Sequence, residues 1–82
     1  MKKISELNIS KKGKKVFLNF VLKTSEANKC FVISDRDGNI LIKGFLENTK
    51  QHQIVVTALK KGKYFVHIID GEKLFFESFE IG

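Results

Sequence analysis

From Val16 to Leu22, apolar side chains recur at every second position. Val16, Leu18, Phe20 and Leu22 alternate with Phe17, Asn19, Val21 and Lys23, which is the period of a half-buried β-strand. The pattern returns at Tyr64, Val66 and Ile68 after the turn-forming Lys60-Lys61-Gly62-Lys63. Short apolar runs at Phe31-Val32-Ile33, Ile40-Leu41-Ile42 and Ile54-Val55-Val56 stand between polar segments. Residues 4–9 read as a first strand and Lys73 to Ile81 as the last, entered through a tight turn at Asp70-Gly71. Thr57-Ala58-Leu59-Lys60-Lys61 allows one helical turn at most before Gly62 stops it. Short strands separated by turn signals at roughly 8 to 12 residue intervals predict an all-β sandwich of about seven mainly antiparallel strands, with a small barrel as the alternative.

The 82 residues suffice for a single domain, 1–82. No stretch approaches the roughly 18 to 20 apolar residues of a membrane span. The basic start Met1-Lys2-Lys3 lacks the apolar core of a secretory leader, because Glu6 and Asn8 interrupt it. The expectation for a full-length chain is therefore a cytoplasmic or particle-assembled protein. Cys30 is the single cysteine, so neither an internal disulfide nor a multi-cysteine zinc site is expected.

Several strands are apolar on both faces, which is more than a two-layer sandwich requires. Phe17 and Val21 accompany Leu18 and Phe20, while Phe65 and Ile69 accompany Tyr64, Val66 and Ile68; the last strand carries Leu74, Phe75 and Phe76 in succession. Phe17, Val21, Phe65, Ile69 and Phe75 are accordingly the candidate partner-binding face. Lysine stems and wrapped edges are the alternative cover for these side chains.

The net charge of +6 is unevenly distributed. Residues 1–29 hold eight lysines against Glu6 and Glu26, whereas the charges of residues 30–82 cancel. Lys11, Lys12, Lys14 and Lys15 form the candidate basic patch, suited to nucleic acid or another anionic surface. The same lysines also serve to keep a small β-protein soluble and to block edge pairing. Eight phenylalanines invite a base-stacking reading, but most adjoin aliphatic residues and read as core.

Catalytic and metal constellations are not expected. Asp35-Arg36-Asp37-Gly38-Asn39 superficially suggests a calcium loop, yet its glycine is the fourth residue and Leu46 stands at the twelfth position, where an EF-hand has glycine sixth and glutamate twelfth. It reads as a hairpin turn in which the aspartate caps its own loop and Gly38 takes a positive φ. His52 reads as a loop residue and His67 as a sheet-surface residue; neither has metal-ligand spacing to a second donor. A Cys30–His67 dyad lacks a third orienting group in the sequence. No phosphate-binding glycine loop or nucleophile elbow is present. The chain reads as non-enzymatic, with no cofactor.

Three segments resemble a known family. Phe31 to Leu41, with Asp35 and Gly38 between two apolar strands, and Ile54 to Ile68, with Leu59 followed by Gly62-Lys63-Tyr64-Phe65-Val66-His67-Ile68, are similar to the type A C-terminal sorting domain of the type IX secretion system. Asp70-Gly71 and a final strand follow in the same order. The resemblance implies an immunoglobulin-like seven-stranded β-sandwich with Asp35, Gly38, Leu59, Gly62 and Tyr64 as its fold signature. Leu59 is expected to plug the end of the core, and Tyr64 to bury its ring while its hydroxyl finds a partner at the rim. The functional expectation is a non-catalytic interaction module. As an excised sorting domain it would dock on outer-membrane secretion machinery at the cell surface; as a free-standing subunit, on a virion or surface structure, with self-association a further expectation. The alternative is a nucleic-acid or anionic-surface binder acting through the Lys11–Lys15 loop.

Overall fold

The computed structural model describes residues 4–22, 29–47 and 49–82. The basic start at residues 1–3 and the alternating position Lys23 lie outside the described residues. Seven strands form in chain order: β1 (Ser5–Lys12), β2 (Lys15–Val21), β3 (Lys29–Ser34), β4 (Ile40–Leu46), β5 (Gln51–Val55), β6 (Gly62–Asp70) and β7 (Lys73–Ile81). They make two antiparallel sheets, β1-β2-β5 and β4-β3-β6-β7. The chain passes from one sheet to the other at β2–β3, β4–β5 and β5–β6. The all-β sandwich expected from the alternation is what forms.

The core follows from that alternation. Leu18, Phe20, Leu22, Ile54 and Val56 point inward from the three-stranded sheet; Phe31, Ile33, Tyr64, Val66, Ile68, Phe75, Phe79 and Ile81 meet them from the four-stranded sheet. Cross-strand ring pairs fix the register locally. Tyr64 stacks on its partner Phe79 with centroids 5.8 Å apart, and Phe20 stacks on its partner His52 at 5.3 Å.

The fold-signature residues behave as their chemistry requires. Leu59 packs against the core, and the Tyr64 hydroxyl donates to the Lys60 carbonyl at 2.6 Å. Asp35 Oδ1 accepts from the Asp37 and Asn39 amides at 2.9 Å, Oδ2 accepts from the Asn39 side chain at 3.0 Å, and Gly38 has φ +87°. Both carboxylate oxygens are thus occupied in building the turn. These bonds, that from the Asn39 side chain foremost, hold the Asp35 carboxyl below its ordinary pKa of 3.8.

Two expectations need correction. Phe75 does not belong to an outer face: it is buried in the core, because its cross-strand partner is the inward-facing Ile68. Phe76 takes the outward position. His52 is not a loop residue. It lies within β5, buried opposite Phe20, since β5 begins at Gln51 rather than beyond Gln53.

Candidate functional site

The outer face of the four-stranded sheet is built from the residues that alternate with the core. Reading across the strands, one row runs Phe45 (β4), Cys30 (β3), Ile69 (β6), Leu74 (β7), and the next runs Lys43, Val32, His67, Phe76. The first row is apolar throughout. Phe45 is 89% exposed, Ile69 43% and Leu74 39%. Beside it Cys30, Val32, Lys43 and Phe45 line a shallow groove over Phe31 and Gly44. Phe65 and Phe76 stack at 5.6 Å, the His67 ring leans on Phe76 at 4.7 Å, and the Lys63 ammonium covers Phe65 at 5.9 Å. Lysine cover therefore exists at Phe65, as the snorkelling alternative anticipated, whereas Phe45 stays open to solvent.

The outer face of the three-stranded sheet differs. An amide ladder crosses it: the Asn19 side chain donates to Asn8 at 3.1 Å and to Ser10 at 2.8 Å, and accepts from Gln53 at 2.9 Å. Phe17 and Val21 flank this ladder, both half-buried. The candidate apolar face is consequently not one surface. Phe17 and Val21 lie on one side of the sandwich, Phe65 and Ile69 on the other, and Phe75 lies between. Alternation shows which residues share a side of a strand, but not which strands share a sheet. Phe45, Leu74 and Phe76 complete the apolar surface: Phe45 was missed for that reason, and Leu74 and Phe76 because three consecutive apolar residues hide which side of β7 each takes.

The basic patch is larger in space than in sequence. Lys12 and Lys15 close the β1–β2 hairpin around Gly13-Lys14, and Lys11 Nζ donates to the Gly82 carbonyl at 3.3 Å. The β5–β6 loop is tied to the same end: the Val16 amide donates to Thr57 Oγ1 at 3.0 Å and the Val56 amide to the Val16 carbonyl at 2.9 Å. Lys60, Lys61 and Lys63 thereby join Lys11, Lys12, Lys14 and Lys15. The β3–β4 turn adds Arg36 here, because Ser34 pairs with Phe65 near the start of β6. Against these eight positive charges stand Asp35, Asp37 and Glu80, a net of +5. At the opposite end Lys29, Lys50 and Lys73 face Glu6, Glu47, Asp70 and Glu72, a net of −1 among the described residues. The cancelling charges of residues 30–82 concealed this asymmetry, since three of those lysines fold back onto the basic hairpin.

Inside that opposite end, Lys29 and Asp70 are cross-strand partners, 0% and 1% exposed. Lys29 Nζ and His52 Nε2 are buried without a hydrogen-bond partner among the described residues. Burial, and then repulsion from the Lys29 ammonium, push the His52 pKa below its ordinary 6.5. Cys30 and His67 share the outer face one row apart, with the His67 ring engaged by Phe76. Among the described residues, no three His, Cys, Asp or Glu side chains are grouped to hold a metal ion, and no helix is long and apolar enough to cross a membrane. The chain matches no protein-family model and no curated protein.

Proposed function

We propose that this chain is a non-catalytic interaction module that docks onto a larger protein assembly through the outer face of its four-stranded sheet. The observation that carries the reading is the row Phe45, Cys30, Ile69, Leu74, which crosses all four strands, is apolar at every position and is open to solvent at Phe45. A continuous apolar strip of this kind is characteristic of a surface that another molecule covers. A rigid sheet also presents it at little entropic cost on binding. The likeness of Phe31–Leu41 and Ile54–Ile68 to type IX sorting domains favours outer-membrane secretion machinery as the assembly for an excised domain; a virion or surface structure is the counterpart for a free-standing subunit.

Retention of partner components at high salt, identified by mass spectrometry, tests the proposal. In Phe45→Ser and Leu74→Ser variants that retention should be lost while the thermal transition stays near that of the parent, because both side chains are exposed. Undiminished retention, or a large fall in Tm, would sink the reading.

A further inference from the structure

We infer that the lysine-rich end of the sandwich is a docking surface for an anionic lipid bilayer, met end-on. Charge complementarity is the first argument. Lys11, Lys12, Lys14 and Lys15 from the β1–β2 hairpin, Lys60 and Lys61 from the β5–β6 loop and Lys63 at the start of β6 converge there with Arg36, leaving a net charge of +5 at this end against −1 at the other among the described residues. The ensemble is held in place rather than trailing. The Tyr64 hydroxyl grips the Lys60 carbonyl at 2.6 Å, Leu59 is anchored in the core with its amide bonded to the Val56 carbonyl at 3.0 Å, and Lys11 reaches the end of β7.

The second argument selects lipid over nucleic acid. The large apolar side chains exposed at this end are aliphatic: Ile40 at 61%, Leu41 at 46% and Val55 at 56%. Leu41 shares a shallow cavity with Lys60, Ala58 and Leu59, so apolar and cationic groups adjoin. Aliphatic side chains cannot stack bases, and the most exposed ring, Phe45, lies at the other end. Seven of the eight cations are lysines, which offer point charges; Arg36 alone carries the bidentate fork that reads base edges. Aliphatics flanked by lysines are instead the two-part signal of a bilayer interface, in which the apolar groups enter the headgroup boundary and the ammonium groups meet anionic lipid. Each lysine near such a leaflet contributes about fivefold in partitioning.

Co-sedimentation of the whole chain with vesicles is the test, comparing phosphatidylcholine alone with phosphatidylcholine containing phosphatidylserine, each at low and high salt, beside gel-shift assays with duplex DNA and single-stranded RNA. The expected result is binding to the phosphatidylserine vesicles only, weakened by salt. A combined Lys14→Glu, Lys60→Glu, Lys61→Glu variant should lose on the order of a hundredfold or more in partitioning. An Ile40→Ser, Leu41→Ser variant should bind measurably more weakly at unchanged salt dependence. All five positions are exposed, and circular dichroism with a matching melting curve verifies the fold of each variant. Equal binding to both vesicle types, no vesicle binding, nucleic-acid binding without vesicle binding, or indifference to the Ile40 and Leu41 changes would each overturn the inference.

Discussion

Gly44 on β4 leaves little space for a side chain. It lies opposite Phe31, and a Cβ added there would sit 3.0 Å from Phe31 Cε1 and 3.2 Å from Cζ. The ring belongs to the core, and it must give by a few tenths of an ångström to admit the methyl group. Gly44→Ala is expected to destabilise the fold by about 1 to 3 kcal/mol, the usual range for overpacking. Chemical denaturation would measure this, and pairing the change with Phe31→Leu should recover part of the loss. An unchanged denaturation midpoint would mean that the ring shifts freely. Nothing in the sequence announced this constraint. A glycine between Lys43 and Phe45 reads as a weak point in a strand, and its role depends on which side chain of β3 the register places beneath it.

The four edge strands are protected unequally. β1 carries Lys11 and Lys12 and is distorted near its start, where Glu6 adopts φ +52° and the register with β2 shifts. β5 is five residues long with Gln51 and Gln53 pointing outward, and β7 carries Lys73, Glu77 and Glu80. These are the usual means of discouraging strand addition. β4 has one charge, Lys43, and exposes Ile40, Leu41 and Phe45. Self-association through this edge is therefore expected to rise with concentration, and Phe45→Lys should suppress it while changing stability by no more than about 0.5 kcal/mol. Light scattering across a concentration series decides the matter; a parent chain that stays monomeric, or a variant that associates equally, contradicts it. Most strands were legible from alternation alone, β2 and β6 above all. β5 was only half legible, because its first three residues, Gln51, His52 and Gln53, are polar, and His52 turns inward only through its pairing with Phe20. In β7, three consecutive apolar residues left the face undetermined until pairing with β6 placed Phe75 inside and Phe76 outside.

The whole molecule stores a pH dependence at its less basic end. Burial and the nearby Lys29 ammonium keep the His52 pKa in the fold below 6.5, its ordinary value. Above that value the imidazole is neutral whether the chain is folded or unfolded, and the group costs nothing. As pH falls below 6.5 the unfolded chain takes up the proton first, so stability declines until the folded-state pKa is reached and then levels off. A His52→Leu variant should remove the decline in the window just below pH 6.5, measured by denaturant midpoints across pH. The Asp35 carboxylate acts lower, since its stabilisation persists above 3.8 and is lost only as pH drops through its depressed folded-state value. A decline that persists undiminished in the His52 variant would place its origin elsewhere.

The antiparallel course of β6 also sets a distance. Lys63 is the second residue of the strand, at the cationic end, and Ile69 the last but one at the other, six residues further on, a span of about 20 Å at the rise of an extended chain. That exceeds the Debye length of about 8 Å at physiological ionic strength. A molecule standing on its lysines would hold the Phe45–Leu74 row above the ion atmosphere of whatever it stands on. Contacts made along that row would then be indifferent to the charge below, and two such surfaces would operate as the foot and the hand of a spacer.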